Sequence, residues 1–309
     1  VDLPFDSEVV VGSGSPLAQP LEVRDGSAGT LVVGNRWTVL PMEGWDGTTD
    51  GRPTDLVCRR WARFGESGAK LVWGGEAVAV GPGGRANPNQ LCIGPNSPGD
   101  LAELRSVLVD AHVERFGSAD DLLVGLQLTH SGRWAQPGAE AAPRTAYRHP
   151  LLDGRVGASG QSVLSDDELD GLSDDFVDAA VVAHDAGFAF VDVKACHGYL
   201  VHELLSGIDR PGPFGGDLEG RTRFLRRTVE AIRYRVPDLA IGVRLSAFDF
   251  APHAVGPDGI GVPEDGTHHA FGGDGTGVGL DLTEPDRVLG MLADLGVGMV
   301  CMTAGSPYY

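Results

Sequence analysis

Residues 191–200 read VDVKACHGYL, and the two halves of that stretch make opposite demands. Val191 and Val193 alternate with Asp192 and Lys194, the period of a strand whose two faces differ. The second half then sets a cation, a thiol, an imidazole and a phenol close together, as Lys194, Cys196, His197 and Tyr199. A strand that ends on reactive groups fits a parallel barrel, where side chains at the C-terminal strand ends build the site.

Outward from this stretch, apolar β-branched segments recur with amphipathic ones between them, the alternation of βαβ units. Strands are expected near 31–40, 69–78, 122–128, 189–194, 241–246 and 298–303, and helices near 54–67, 100–116, 173–186, 218–235 and 284–295. Ser173, before Asp174 and Asp175, and Thr283, before Glu284, are expected to open their helices. Gly68 and Gly187 are placed to follow helix ends. The rhythm predicts an α/β fold, a (β/α)8 TIM barrel forming a single domain over residues 1–309. Only about six βα units are counted, so the barrel is expected to be incomplete, without its last two.

Composition narrows the function. The 309 residues are 42% hydrophobic and 22% charged, and no apolar run approaches the roughly 18 residues of a membrane span. A formal charge of −19 opposes nucleic acid as a partner. Cys58, Cys92, Cys196 and Cys301 form no C-x-x-C pair, so a reducing cytoplasm is expected. The N-terminal VDLPFDSEVV has neither an initiator Met nor the pattern of a secretory signal, and the boundary is expected to be a fragment edge. Walker, G-x-S-x-G and H-E-x-x-H motifs are missing, and GGDGTGVG at 272–279 lacks dinucleotide spacing and reads as a flexible loop. The adjacent His268 and His269 read as no metal site.

The informative residues follow different strands: LPMEGWDG at 40–47, GGEAVAV at 74–80, LQLTHSGRW at 126–134, VDVKACHGYL, and GVRLSAFD at 242–249. Such ends converge in a barrel, so Gln127, His130, Arg133, Lys194, His197, Tyr199 and Arg244 are expected to line one cavity. Taken singly, each has a structural reading: a strand Gln satisfies backbone groups, a strand Arg pairs with a carboxylate such as Asp192, and Cys196 packs. Lys194 stands apart, because only Lys70 and Lys194 among 24 basic residues are lysines.

Several of these segments together resemble the old yellow enzyme family of NAD(P)H:flavin oxidoreductases, FMN-binding (β/α)8 barrels. They are NRWTVLPM at 35–42, GEAVAV and GRANPNQLCI at 75–80 and 84–93, QLTHSGR at 127–133, AGFAFVDVKACHGYLVHELLS at 186–206, FGGDLEGRTRFL at 214–225 and GVRLSA at 242–247. The resemblance runs from Val32 to Tyr309. It implies FMN and NAD(P)H as cofactors, with Pro41 and Met42 beside the flavin ring, Ala77 near its carbonyl edge, Gln127 on its pyrimidine half and Arg244 by N1 and O2. It makes Lys194 and His197 the donors to a substrate carbonyl oxygen and Tyr199 the proton donor. The partner it implies is a small molecule with an activated double bond.

Lys194 stands where the family usually has His, and Glu43 where a small polar residue or Cys is typical. The family's phosphate-binding loops follow strands seven and eight, beyond this chain. Two other readings stay open: a Schiff-base lyase using Lys194, and a non-catalytic barrel that binds a metabolite.

Overall fold

Gln127 stands opposite Asp192 on the next strand, and Lys194 opposite Arg244 on the one after, in the parallel ladders of a curled sheet. The computed structural model describes residues 12, 14–26, 28–264 and 269–309, so His268 and the N-terminal ten residues lie outside the described residues. Its strands are β1 (Leu21–Asp25), β2 (Gly29–Val33), β3 (Thr38–Val39), β4 (Leu71–Val72), β5 (Ala77–Ala79), β6 (Leu123–Thr129), β7 (Phe190–Ala195), β8 (Ala240–Ser246), β9 (His253–Val255), β10 (Gly261–Pro263) and β11 (Met299–Thr303). The helices are α1 (Asp55–Glu66), α2 (Ser97–Phe116), α3 (Leu152–Val156), α4 (Asp166–Asp185), α5 (Leu200–Leu205), α6 (Leu218–Arg235) and α7 (Thr283–Asp294).

The main sheet runs β11-β8-β7-β6-β4-β3, with β5 also on β6, and all its pairings are parallel. It is a partial (β/α) barrel: six strand positions, the second split into β4 and β5, each joined to the next across a helix. Alternation along β7 divides the core. Val191 and Val193 face outward, packing with Leu126, Phe176, Phe224 and Val243 between sheet and helices. Phe190 joins Trp73, Leu123 and Met299 inside the curl. The β1–β2 hairpin covers that inner cluster with Val23 and Leu31. Asp25 anchors the hairpin by pairing with Arg233 on α6 and accepting the Ile241 N–H. No helix among the described residues is long and apolar enough to cross a membrane.

Three expectations need correction. The strand predicted over 31–40 is divided, because residues 34–36 bend away. The Asn35 side chain fixes that bend by accepting from Trp37 N and Lys70 N while donating to Gly68 O. Ser173 does not open its helix; Ser165 does, through a reciprocal capping box with Glu168, an arrangement typically contributing about 1 kcal/mol. Ser173 is buried inside α4 and bonds Thr228 on α6. Thr283 is the first residue of α7 rather than its cap; Leu282 is the N-cap, without a side-chain cap bond, and Asp281 one residue earlier accepts the Thr283 N–H.

Candidate active site

Each of β3, β6, β7 and β8 delivers a side chain to the same end of the sheet. Pro41, Glu43, Trp45, Gln127, Lys194, His197, Tyr199, Arg244, Pro307 and Tyr308 enclose a cavity of about 200 Å³ there. Five sequence-predicted polar residues, Gln127, Lys194, His197, Tyr199 and Arg244, are thus brought together with Pro41. Met42 is not among them: its side chain is 62% exposed and its backbone bridges to Glu76. Ala77 is 1% exposed within β5, paired with Gln127 in register and behind the cavity wall. Cys196 is buried against the sheet, where burial pushes its thiol up to about 12, and it remains a packing residue.

His130 and Arg133, expected in the cavity, lie outside it. His130 is buried beside Gly84 and its Nδ1 accepts the Gly132 N–H. Arg133 turns to the side, into Asp153, Glu203 and the carbonyl of Tyr147.

The floor is set by ladder register. Asp192, fully buried, accepts Gln127 Nε2 at 2.5 Å and the Arg244 backbone N–H at 2.6 Å. Burial pushes its carboxyl above the ordinary range, and these donors oppose that shift. Because a carboxylate offers only acceptors, the contact orients the Gln127 amide nitrogen toward Asp192 and leaves its oxygen as an acceptor. Arg244 donates to the Pro41 carbonyl at 3.3 Å, while its Nε is buried without a partner. The acceptor, guanidinium and carbonyl fit the polar pyrimidine edge of a flavin ring, which carries both donors and acceptors. The cavity is small beside the ~300–1,000 Å³ usual for such ligands, with Pro307 and Tyr308 as part of its wall.

The loop after β3 is clamped from below. Arg60 on α1 binds both Asp46 and Glu76, and Glu76 accepts the Gly44 N–H. A Cβ on Gly44 would meet the Arg60 guanidinium at 2.3 Å and the carboxylates of Glu76 and Asp46 at 2.8 and 2.9 Å, so a side chain there would have to displace the clamp. This clamp presents Glu43 and Trp45 to the cavity on either side of Gly44.

After β7 the chain turns sharply. His197 has φ 63° and Gly198 φ 71°; for His this is a sparsely populated conformation of the kind that collects at functional sites. The turn is held by the His197 N–H on Ser246 Oγ, and the imidazole Nε2 lies 3.3 Å from Thr303 Oγ1. Burial, then the charges of Lys194 and Arg244, depress His197 to about 3, so the ring is neutral at physiological pH. Tyr199 directs its hydroxyl at both Glu43 oxygens, 2.8 Å from each, and at Tyr308 Oη, 2.9 Å away. Burial, then the Glu43 charge, holds this phenol far above its usual range, so it keeps its proton. Lys194 Nζ lies 3.5 Å from Glu43 and 3.7 Å from the Tyr199 ring centroid.

Glu43, Trp45 and Tyr308 complete the site although sequence reasoning gave them no role. For Trp45 and Tyr308 the only sequence signal was position, each following a strand's C-terminal end; Glu43 also stood out as a departure from the family pattern. Tyr308 also stacks on Trp134, centroids 4.3 Å apart.

A profile of the NADH:flavin oxidoreductase / NADH oxidase family matches residues 18–256. The NADPH dehydrogenase of Bacillus velezensis is 30% identical over 245 residues, 76% of this chain and 64% of that protein. The NADPH dehydrogenase of Clostridium acetobutylicum is 32% identical over 227 residues, 71% of this chain and 62% of its own length. The chain therefore spans somewhat less than two thirds of these relatives. Among solved structures, an Old Yellow Enzyme from Pichia sp. AKU4542 aligns with TM-score 0.68 and 21% identity over 94% of this chain and 71% of that one. A 2-naphthoyl-CoA reductase complexed with 2-naphthoyl-CoA aligns with TM-score 0.70 and 19% identity, over 94% of this chain and 41% of that one. These two likenesses establish the barrel fold. With the profile covering most of its length, the chain belongs to the NADH:flavin oxidoreductase / NADH oxidase family.

Proposed function

We propose that the protein is an FMN-dependent oxidoreductase that takes hydride from NAD(P)H and passes it to an activated alkene, with α,β-unsaturated carbonyls as the acceptor class. The observation that carries this reading is the convergence of Gln127 and Arg244 with Lys194, His197 and Tyr199 on one cavity at the strand ends. Gln127, Arg244 and the Pro41 carbonyl would hold the flavin ring. When bound, FMN would supply hydride transfer between the two substrates.

The chain's own groups would do the rest. An alkene conjugated to a carbonyl accepts hydride only if the charge growing on its oxygen is stabilised, and Lys194 and His197 are the donors at hand. Lys194 brings a full positive charge, His197 a neutral N–H. Tyr199, still protonated, would deliver the proton to the adjacent carbon. A cytoplasmic location belongs to the same reading, supported by four cysteines that are all unpaired.

Schiff-base chemistry at Lys194 has less support. It would leave the convergence of Gln127 and Arg244 on the same cavity without a task.

The test separates two half-reactions in rapid mixing. Reduction of the flavin by NAD(P)H uses no proton from Tyr199, and alkene reduction does. Tyr199→Phe should slow only the second step, by about 10² to 10⁴-fold, the usual span of a general acid. Equal slowing of both steps would make the phenol structural, and a protein that reduces no alkene with added FMN and NADPH would end the reading.

A further inference from the structure

Glu43 lines the cavity and has no task in the reaction as written. Its carboxylate gathers Tyr199 Oη, Lys194 Nζ and, at 3.2 Å, Trp45 Nε1. Tyr199 is 2% exposed and Lys194 5%, so neither meets bulk water freely; Trp45, at 55%, does. Glu43 therefore stands between a buried phenol and solvent.

A phenol that gives its proton to carbon must recover one before the next turnover. Among the described residues two groups hydrogen-bond the Tyr199 oxygen, Glu43 and Tyr308. Carboxylic acids are ordinarily about six pK units stronger than phenols, so proton transfer from a carboxyl to a phenolate runs downhill. Transfer from Tyr308 would only move the phenolate along by one residue.

We propose that Glu43 is the proton relay that recharges Tyr199, an inference that rests on the reductase reading above. As the Tyr199 O–H bond breaks, a C–H bond forms at the substrate carbon and a phenolate remains. The Glu43 carboxylate takes a proton from hydronium or a buffer acid arriving past Trp45 and passes it to the phenolate, which leaves Tyr199 protonated and Glu43 a carboxylate again. Only protons move in these steps; the electron pair reaches the substrate with the hydride.

The experiment has two arms. In cofactor-free protein, alkaline titration of tyrosine labelled at Cζ, with Tyr199→Phe assigning the resonance, should give a lower Tyr199 midpoint in Glu43→Gln, by about one unit or more, since a neighbouring like charge is removed. In flavin-loaded protein, Glu43→Gln should lose steady-state alkene reduction by at least about tenfold more than it loses in the first turnover, within the general-acid range. Added acetate should restore part of that loss, and Glu43→Asp, which keeps a carboxyl, should retain more activity than Glu43→Gln. An unmoved Tyr199 midpoint overturns the relay. So does equal slowing of first and later turnovers, which would make Glu43 only a positioning group. A protein that turns over no alkene brings down the reductase reading with the relay, whereas a fixed midpoint or a matched slowing in an active protein brings down the relay alone.

Discussion

Arg133, just past the end of β6, and Lys194, near the end of the adjacent β7, are both buried cations, yet their surroundings are built in opposite ways. Arg133 is held by three hydrogen bonds, to Asp153, Glu203 and the Tyr147 carbonyl, and Asp153 also binds Arg148. Lys194, with three N–H donors, makes one hydrogen bond among the described residues, the 3.5 Å contact to Glu43. Arg244 beside it is similarly underused, with one long side-chain bond and an unpartnered Nε. A buried charge that finds its partners within the fold serves the fold. One left short of partners beside a cavity is available to something that enters.

The comparison breaks most visibly if Arg133 is removed. Arg133→Met leaves two buried carboxylates facing each other and should cost about 3–5 kcal/mol of stability, measured by urea denaturation. A cost below about 1 kcal/mol would mean that the cluster is not the frame of the site. Lys194→Met should invert the pattern. Glu43 keeps Tyr199 and Trp45 as donors, so stability should change by no more than about 1 kcal/mol, while alkene reduction falls about 10² to 10³-fold, as when one oxyanion donor is lost. Comparable losses of stability in both variants would erase the distinction.

The remaining expected effect concerns pH. His197 is held near 3, below the ordinary imidazole value of about 6.5, so in that window the unfolded chain binds a proton that the native site refuses. Stability should therefore fall as pH drops from about 6.5 toward 3, with His197 contributing at most about 1.4 kcal/mol per pH unit. His130, held near 4 by burial, acts in the same direction. His197→Gln should flatten the acid limb of a stability-against-pH curve, and an unchanged limb would show that His197 is not desolvated.

How much of this was legible in the sequence depended on the range of the interaction. The alternation of Val191, Asp192, Val193 and Lys194 fixes which residues face the helices and which face the inside of the curl, and the structure follows it. Gln127, Lys194 and Arg244 were found because strand ends meet in any parallel barrel. Arg133 was misplaced because its carboxylate partners lie 20 and 70 residues away, with nothing local to announce them. Glu43 was seen only as a departure from a family pattern; its partner Tyr199 is 156 residues away. The N-terminal hairpin was missed for a different reason. Its second strand and β3 form one apolar stretch in sequence, and only the Asn35 side-chain bonds reveal the bend between them.

The central claim is that the underused groups on the cavity floor receive a flavin ring. The most direct test is fluorescence titration of the protein with FMN and, in parallel, with lumiflavin, which has the ring without the phosphate. Both ligands should bind the unmodified protein with quenched emission, and replacing Gln127 and Arg244 together with alanine should abolish lumiflavin binding while leaving the fold intact by circular dichroism. Lumiflavin binding that survives the double replacement, or is absent from the unmodified protein, would contradict the assignment of this cavity to the ring.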